Sequence, residues 1–286
     1  VAITAAGGLL SPIIPPSMLF VIFGVIAQIS IGDLFIAGIV PGLLLSVAFL
    51  LVIAWLGHRH SFPKNERLSR SERIAAVLDG APAGVIPLTI IGSILGSIAT
   101  PTEAAALAGL AAIALGRFYY RELQFRQLGP AFVRAARNSA IVLILIATAQ
   151  VFSWVITFEN LPALVSAWIQ SLTESATAFL LLVNFCLIFV GMIIDPIPAL
   201  ILIVPVLLPV ATDVYGINPF HFGVVICLNL VLGLMTPPVG SALFTAAVMS
   251  DVRAERIARV VMPFLVIMAA VLVLLIVFPV LVTGVL

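Results

Sequence analysis

The sequence contains very little charge. Only 9% of its 286 residues are Asp, Glu, Lys or Arg, against roughly 25% in an ordinary soluble domain. Hydrophobic residues make up 63% of the chain, and the mean hydropathy is +1.31. The net charge of +1 gives no reason to expect a nucleic-acid partner. We therefore predict an integral membrane protein embedded in the lipid bilayer.

Cysteine and catalytic motifs are also scarce. The only two cysteines, Cys186 and Cys227, lie in apolar runs without metal or disulfide spacing, so we assign them to packing. No His-Glu-x-x-His, Gly-x-Ser-x-Gly or Walker sequence occurs, which excludes the commonest enzyme sites that such motifs mark. His221, in NPFHFG, is expected to be solvated or interfacial. We predict no catalytic residue and no cofactor.

Long apolar runs take the place of the missing charge. A helix needs about 20 apolar residues to cross a hydrocarbon core of about 30 Å. Four clear runs of this kind are Phe35 to Gly57, Ala140 to Thr157, Ala178 to Ile194 and Val260 to Val285. The runs are continuous, as in buried or membrane helices. The predicted fold class is an all-α polytopic membrane protein.

The basic residues predict the topology. All 13 fall in three clusters, Arg59 to Arg73, Arg117 to Arg137 and Arg253 to Arg259, which the positive-inside rule assigns to the cytoplasm. The chain between the first two clusters must therefore leave the cytoplasm and return, as two spans or as a re-entrant hairpin. The turn Ile31 to Leu34, with Asp33, is expected outside, as is the C-terminus.

Two similar sequence segments near the ends of the chain indicate an internal repeat. GLLSPIIPPSMLF begins at Gly8 and GLMTPPVGSALF begins at Gly233. Each breaks an apolar run with Ser or Thr and two or more prolines, and each precedes a polar turn and another long helix. The topology places the two turns on opposite sides, so we predict an inverted repeat with discontinuous helices, which in transporters marks the binding site.

A third segment with polar residues, GSILGSIATPTEAAALAGL, lies between the first two basic clusters, from Gly92 to Leu110. Its apolar arms have about 20 and 13 residues, and 13 residues span only about 20 Å. This favours a re-entrant helical hairpin over two full spans. Glu103, three residues after Thr100, is either the partner in a capping box or a ligand of substrate or ion.

The breaks supply groups that suit ions. Pro101, Pro237 and Pro238 lack an N–H and free nearby carbonyls, which together with Ser and Thr hydroxyls make hard oxygen ligands for a small cation. A helix that restarts after a break directs its N–H groups at an anion. Asp195 in GMIIDPIPALILIVPVLLP is interpreted either as a helix-start or turn residue or as a functional acid.

Four segments of the chain together resemble the large membrane subunit (DctM-like) of tripartite ATP-independent periplasmic (TRAP) transporters, and they follow one another in the same order as in that family. The segments are IIPPSMLFVIFG, SIATPTEAAALAGL, GMIIDPIPALILIVPVLLPVA and NLVLGLMTPPVGSALF. The family's first part is missing, so the resemblance implies an N-terminally truncated chain. Residues 1–286 are expected to form a single transmembrane transport domain. Its parts are 1–57 (end of repeat one), 58–73 (cytoplasmic basic loop), 74–116 (re-entrant hairpin) and 117–286 (rest of repeat two).

The resemblance implies a function. Such a subunit, of the ion-transporter superfamily, takes up an organic acid (a dicarboxylate, sialic acid or another sugar or keto acid) with sodium as coupling ion across the bacterial inner membrane. It works by an elevator-like movement, with a periplasmic substrate-binding protein and a small four-helix membrane subunit as partners. The alternatives are a stand-alone sodium/dicarboxylate or citrate carrier and a structural membrane subunit.

The resemblance also assigns binding residues. They are Thr100, Pro101, Thr102 and Glu103 at the hairpin tip, Thr236, Pro237, Pro238, Val239 and Gly240 in the second break, and Pro15, Pro16 and Ser17 in the first. Among them, Thr100, Thr102, Thr236 and Gly240 are the candidate sodium ligands.

Overall fold

The computed structural model describes residues 2–59, 69–237, 240–250 and 252–286, in which the regular structure is helical and no strand occurs. The helices are α1 Ala2–Gly8, α2 Met18–Ala27, α3 Ile31–Arg59, α4 Arg70–Gly80, α5 Val85–Leu95, α6 Pro101–Ala114, α7 Phe125–Phe158, α8 Leu161–Gln170, α9 Ala176–Ile193, α10 Pro196–Pro209, α11 Pro219–Gly233, α12 Ser241–Ser250, α13 Ala254–Val277 and α14 Val280–Thr283. A 3₁₀ turn at Ala81–Gly84 joins α4 to α5, and π-helical turns follow α6 (Leu115–Tyr119) and α10 (Val210–Val214).

Six helical stretches of the described chain are long and apolar enough to cross a membrane: Ile31–Arg59, Arg70–Leu95, Phe125–Phe158, Ala176–Ile193, Pro196–Val214 and Ala254–Val277. The all-α polytopic fold class is confirmed. Each of the four predicted apolar runs lies largely or wholly within one of these stretches.

Two predicted boundaries were wrong. Helix α3 begins at Ile31, so Asp33 lies in its first turn and not in a separate turn, because the Ser30 hydroxyl accepts from the Asp33 N–H at 3.2 Å and caps the helix. The last run does not continue to Val285. Helix α13 ends at Val277 because Pro279 cannot donate to the helical ladder.

The chain divides into two units, Val1–His58 with Leu145–Leu286 and Arg59–Ile144. Helix α11 is the centre of the first unit, buried at every residue from His221 to Gly233. Apart from His221 and Asn229 it is apolar on all sides, as expected of a fully surrounded helix. Phe23 of α2 packs on Phe222 of α11, with ring centroids 6.4 Å apart.

Helices α9 and α11 approach each other closely. A β-carbon placed on Gly233 would lie 2.6 Å from the α-carbon of Gly191, so only glycine fits at this crossing. One turn earlier, the side-chain amide of Asn229 donates to the backbone carbonyl of Asn184 at 2.7 Å and to its side-chain oxygen at 2.8 Å. Both asparagines are buried, and the pair fixes the register of the two helices.

The prediction that His221 is solvated or interfacial was wrong. Its side chain is 2% exposed, and its Nε2 donates to the carbonyl of Leu275 in α13 at 2.8 Å. In an uninterrupted helix that carbonyl would accept the N–H four residues later, but residue 279 is proline. His221 therefore supplies the donor that Pro279 lacks, and it ties α11 to the end of α13.

The second unit contains the predicted helical hairpin. Helices α5 and α6 pack against each other and are joined by a tip at residues 96–100. The second arm is longer than predicted because α6 continues through the π-helical turn Leu115–Tyr119. At the base, the Tyr120 hydroxyl donates to the carbonyl of Asp79 at 3.0 Å. The hairpin is thus closed at both ends.

Candidate functional site

The second helix break separates α11 from α12. Within it, the hydroxyl of Thr236 donates to the carbonyl of Leu232 at 2.7 Å, which leaves its oxygen lone pairs for another partner. Among the described residues, no backbone N–H donates to the carbonyls of Met235 or Thr236. Within the described residues, the break thus contains one hydroxyl and two carbonyl oxygens that could contact a cation, and their role as ligands stays a prediction.

Gly240 closes this break. It has a left-handed φ of +41°, and its N–H donates to the carbonyl of Met192 in α9 at 3.1 Å. A β-carbon at this position would lie 2.9 Å from the carbonyl oxygen of Leu234 and 3.1 Å from that of Thr236. The backbone folds so tightly around residue 240 that a larger residue would displace these oxygens.

Asp195 faces the same break from the junction of α9 and α10. It occupies the N-cap position of α10 but makes no cap hydrogen bond. Instead, its carboxylate accepts from the hydroxyl of Ser241, the first residue of α12, at 2.7 Å. The backbone of Asp195 thus has the helix-start role that the sequence allowed, while its side chain belongs to the break. Ser241 was missed, and its position directly after Gly240 was the available signal.

The first break is braced from within. Ser17 caps α2, because its hydroxyl accepts from the N–H of Phe20 at 3.3 Å, and the same hydroxyl donates to the carbonyl of Pro12. It is 2% exposed. A cis peptide bond joins Pro15 to Pro16. The Ser17 hydroxyl therefore holds the break together by bonds inside the break itself.

A cavity of about 520 Å³ lies where the two copies of the repeat meet. Its lining residues are Ala5, Gly8, Leu9, Asp195, Leu234, Met235, Ser241, Ala242, Thr245, Ala246 and Met249. Gly8–Leu9 and Gly233–Leu234 are corresponding positions of the two repeated segments, and residues of both segments line this cavity. Thr236 and Gly240 are not among the lining residues, but their neighbours Met235 and Ser241 are.

The hairpin tip is held by a capping box. Thr100 donates its N–H and its hydroxyl to the Glu103 carboxylate, both at 2.8 Å, and its hydroxyl accepts from the Glu103 N–H at 3.4 Å. This is the capping geometry that the sequence offered as one interpretation of Glu103. Ser97 takes a left-handed φ of 54°. In the described part of the chain, no backbone N–H donates to the carbonyls of residues 96–99.

The structure brings part of the predicted set together. Thr236, Pro237 and Gly240 share the second break with Asp195, and Pro15, Pro16 and Ser17 form the first break. Pro238 and Val239 lie outside the described residues. Thr100, Pro101, Thr102 and Glu103 form the hairpin tip of the second unit, and their placement beside the breaks stays a prediction.

Comparison with known proteins identifies the family. Residues 1–281 match the profile of the tripartite ATP-independent periplasmic transporter, DctM component. The chain is 38% identical over 273 residues to the isethionate TRAP transporter permease protein DctMQ of Oleidesulfovibrio alaskensis, covering 95% of this chain and 43% of the relative.

Two further relatives agree. The chain is 34% identical over 275 residues to the 2,3-diketo-L-gulonate TRAP transporter large permease protein YiaN of Escherichia coli, covering 96% of this chain and 64% of the relative. It is 35% identical over 277 residues to the sialic acid TRAP transporter large permease protein SiaM of Vibrio cholerae, covering 97% and 65%.

The chain therefore spans between 43% and 65% of the length of these relatives. The match favours the TRAP large subunit over the stand-alone carrier and the structural subunit. The chain belongs to the DctM component family of TRAP transporters, and it is a multi-pass inner-membrane transporter component, not an enzyme.

Proposed function

We propose that the protein takes up a small organic acid across the bacterial inner membrane, coupled to sodium, as the large subunit of a TRAP transporter. The observation that carries this proposal is the cavity of about 520 Å³ in which both repeat copies meet beside Asp195. Small-molecule sites commonly have cavities of about 300 to 1,000 Å³. Discontinuous helices at an inverted repeat are the usual place for substrate and coupling ion.

The oxygen groups of the second break support a cation. Asp195 supplies negative charge, Thr236 has free lone pairs, and the carbonyl of Met235 is unpaired among the described residues. Oxygen donors of this kind suit hard cations. We assign Thr236 and the tightly folded backbone around Gly240 to one sodium site. We assign Thr100, Thr102 and the carbonyls of the hairpin tip to a second sodium site.

The helix starts support an anion. Helix α12 begins at Ser241, on the cavity, and its first N–H groups carry partial positive charge. Helix α6 begins at Pro101 in the same relation to the hairpin tip. The relatives carry isethionate, 2,3-diketo-L-gulonate and sialic acid by name. The shared feature is an acidic group, so we propose an organic anion as substrate, carried by an elevator-like movement.

Two partners follow from this proposal, a periplasmic substrate-binding protein and a small four-helix membrane subunit. The test uses the full-length protein with both partners in proteoliposomes. A thermal-shift screen of organic acids on the binding protein first identifies the substrate, and uptake is then driven by a sodium or a potassium gradient. We expect uptake with sodium and with the binding protein present. Equal uptake with potassium would refute the coupling, and uptake without the binding protein would favour a stand-alone carrier.

A further inference from the structure

The first four turns of α7 have two chemically different faces. Arg126, Arg134 and Arg137 are separated by eight and three residues, which places them within an arc of roughly 80° on a helix of 3.6 residues per turn. Phe125 and Phe132 lie on the opposite face by the same geometry. Both phenylalanines are exposed, at 67% and 62%. This segment, residues 125–138, is a basic amphipathic helix.

The segment lies next to a membrane span. Helix α7 has 34 residues, a length of roughly 50 Å against about 30 Å for the hydrocarbon core. Its mostly apolar part, 140–157, starts three residues after the last arginine, Arg137. The basic face therefore lies at the level of the lipid headgroups. By the positive-inside rule this is the cytoplasmic side.

The charge of this face is not balanced within the helix. Helix α7 contains no Asp or Glu, and Arg126, Arg134 and Arg137 are all exposed. Arg126 and Arg134 line one concavity of about 570 Å³, together with Leu123, Gln124, Gln127, Pro130 and Ala131. Two guanidinium groups and two amides around one hollow match the oxygens of a phosphate.

The start of α7 is fixed to the arm of the hairpin. Arg117, in the π-helical turn after α6, stacks over the ring of Phe125 at 5.1 Å. The N–H of Leu123 donates to the carbonyl of Gly116 at 3.0 Å. The turn between the two helices is therefore tight, and the basic face has a defined position at the base of the hairpin arm.

We propose that this face binds the headgroup of an anionic phospholipid of the cytoplasmic leaflet. The phosphate lies in the hollow between Arg126 and Arg134, with Arg137 beside it, while Phe132 enters the acyl boundary. The apolar face distinguishes a lipid from a soluble phosphate, which would use the arginines alone. The site is independent of the proposed sodium coupling, because none of its residues lies in a helix break.

Native mass spectrometry of the full-length protein tests the site. Detergent-solubilised protein is titrated with phosphatidylglycerol or phosphatidylcholine, for the wild type and for Arg126→Gln/Arg134→Gln. Losing a hydrogen bond to a charged group lowers affinity by about tenfold, so we expect phosphatidylglycerol affinity to fall at least about tenfold. Phosphatidylcholine binding should stay unchanged. Arg126→Lys/Arg134→Lys keeps the charge and should retain most of the affinity.

The matched control is Arg256→Gln/Arg259→Gln, which removes the same charge from exposed positions of α13. This control should bind phosphatidylglycerol like the wild type. Phe132→Ser should weaken lipid binding and leave any displacement by inorganic phosphate unchanged. Equal phosphatidylglycerol affinity in wild type and Arg126→Gln/Arg134→Gln would overturn the proposal. An equal loss in the α13 control would also overturn it, since the effect would then be one of net charge.

Discussion

The hydroxyl of Ser241 donates a 2.7 Å hydrogen bond to a carboxylate oxygen of Asp195. Next to it, the N–H of Gly240 donates to the carbonyl of Met192 at 3.1 Å. These two bonds fasten the second helix break to the junction of α9 and α10. The side chains of Asp195 and Ser241 are both exposed, so the carboxylate lies on the open side of the break. Here the negative charge is held where a helix is interrupted and a cavity begins.

Replacing Gly240 by alanine should strongly reduce sodium-driven uptake. A side chain at a φ of +41° costs about 1 to 2 kcal/mol, and its β-carbon would push the carbonyl oxygens of Leu234 and Thr236 from their places. We expect uptake in proteoliposomes to fall at least tenfold (about 1.4 kcal/mol), with membrane insertion retained.

Gly216→Ala is the matched control. Gly216 has a φ of +63°, but a β-carbon there would meet nothing within 4 Å. This variant has the same kind of backbone strain without displaced oxygens, and its uptake should stay within about twofold of the wild type. Similar losses in both variants would show that strain alone, and not the geometry of the break, is responsible.

Alanine substitution should have opposite effects at a glycine in the crossing of α9 and α11 and at a glycine with open space around it. Gly233→Ala would place a β-carbon 2.6 Å from the α-carbon of Gly191, which should lower the apparent unfolding temperature by several degrees. Gly109 in α6 has nothing within 4 Å of its β-carbon position, so Gly109→Ala should be neutral or stabilising by up to about 1 kcal/mol. A fluorescence-monitored melt of both variants checks this. A neutral Gly233→Ala would contradict the close packing.

His221 and Pro279 should be energetically coupled. His221→Leu leaves the buried carbonyl of Leu275 without its donor, which costs about 1 to 3 kcal/mol. Pro279→Ala restores a backbone N–H four residues after that carbonyl. In the Pro279→Ala background, His221→Leu should therefore cost less than half as much. The double-mutant cycle is measured by thermal unfolding. Equal costs in the two backgrounds would rule out the coupling.

The sequence predicted the helical class, the two helix breaks and the hairpin because each has a strong local signal. Long apolar runs, proline pairs and a Thr-x-x-Glu motif can be recognised in the sequence without knowledge of tertiary contacts. What it could not predict depends on residues far apart in the chain. Asp195 and Ser241 are 46 positions apart, and no local pattern joins them.

His221 shows the same limit. A histidine in a turn-like sequence is usually solvated. Only the fold reveals that α11 is central and that Pro279 leaves the carbonyl of Leu275 without a backbone donor beside His221. The end of α13 was misplaced because the apolar composition continues past Pro279. Composition predicts the presence of a span, whereas the hydrogen-bond ladder decides its end.

The inversion of the two repeat copies can be tested by labelling. In a cysteine-free full-length background, Gly32→Cys and Ser250→Cys introduce single thiols after the first and the second copy. A membrane-impermeant maleimide should label Gly32→Cys from the periplasmic side and Ser250→Cys from the cytoplasmic side. Labelling of both from one side would refute the inverted topology.

We propose that the broken helix beside Asp195 holds the coupling cation. The most direct measurement is the sodium dependence of substrate uptake in proteoliposomes that contain the binding protein and the small subunit. Asp195→Asn keeps an acceptor for Ser241 but removes the charge, and it should weaken the apparent sodium affinity at least tenfold, or about 1.4 kcal/mol. Thr102→Ala should weaken it severalfold through the second site. Sodium titrations that superimpose on the wild type for both variants would contradict the account.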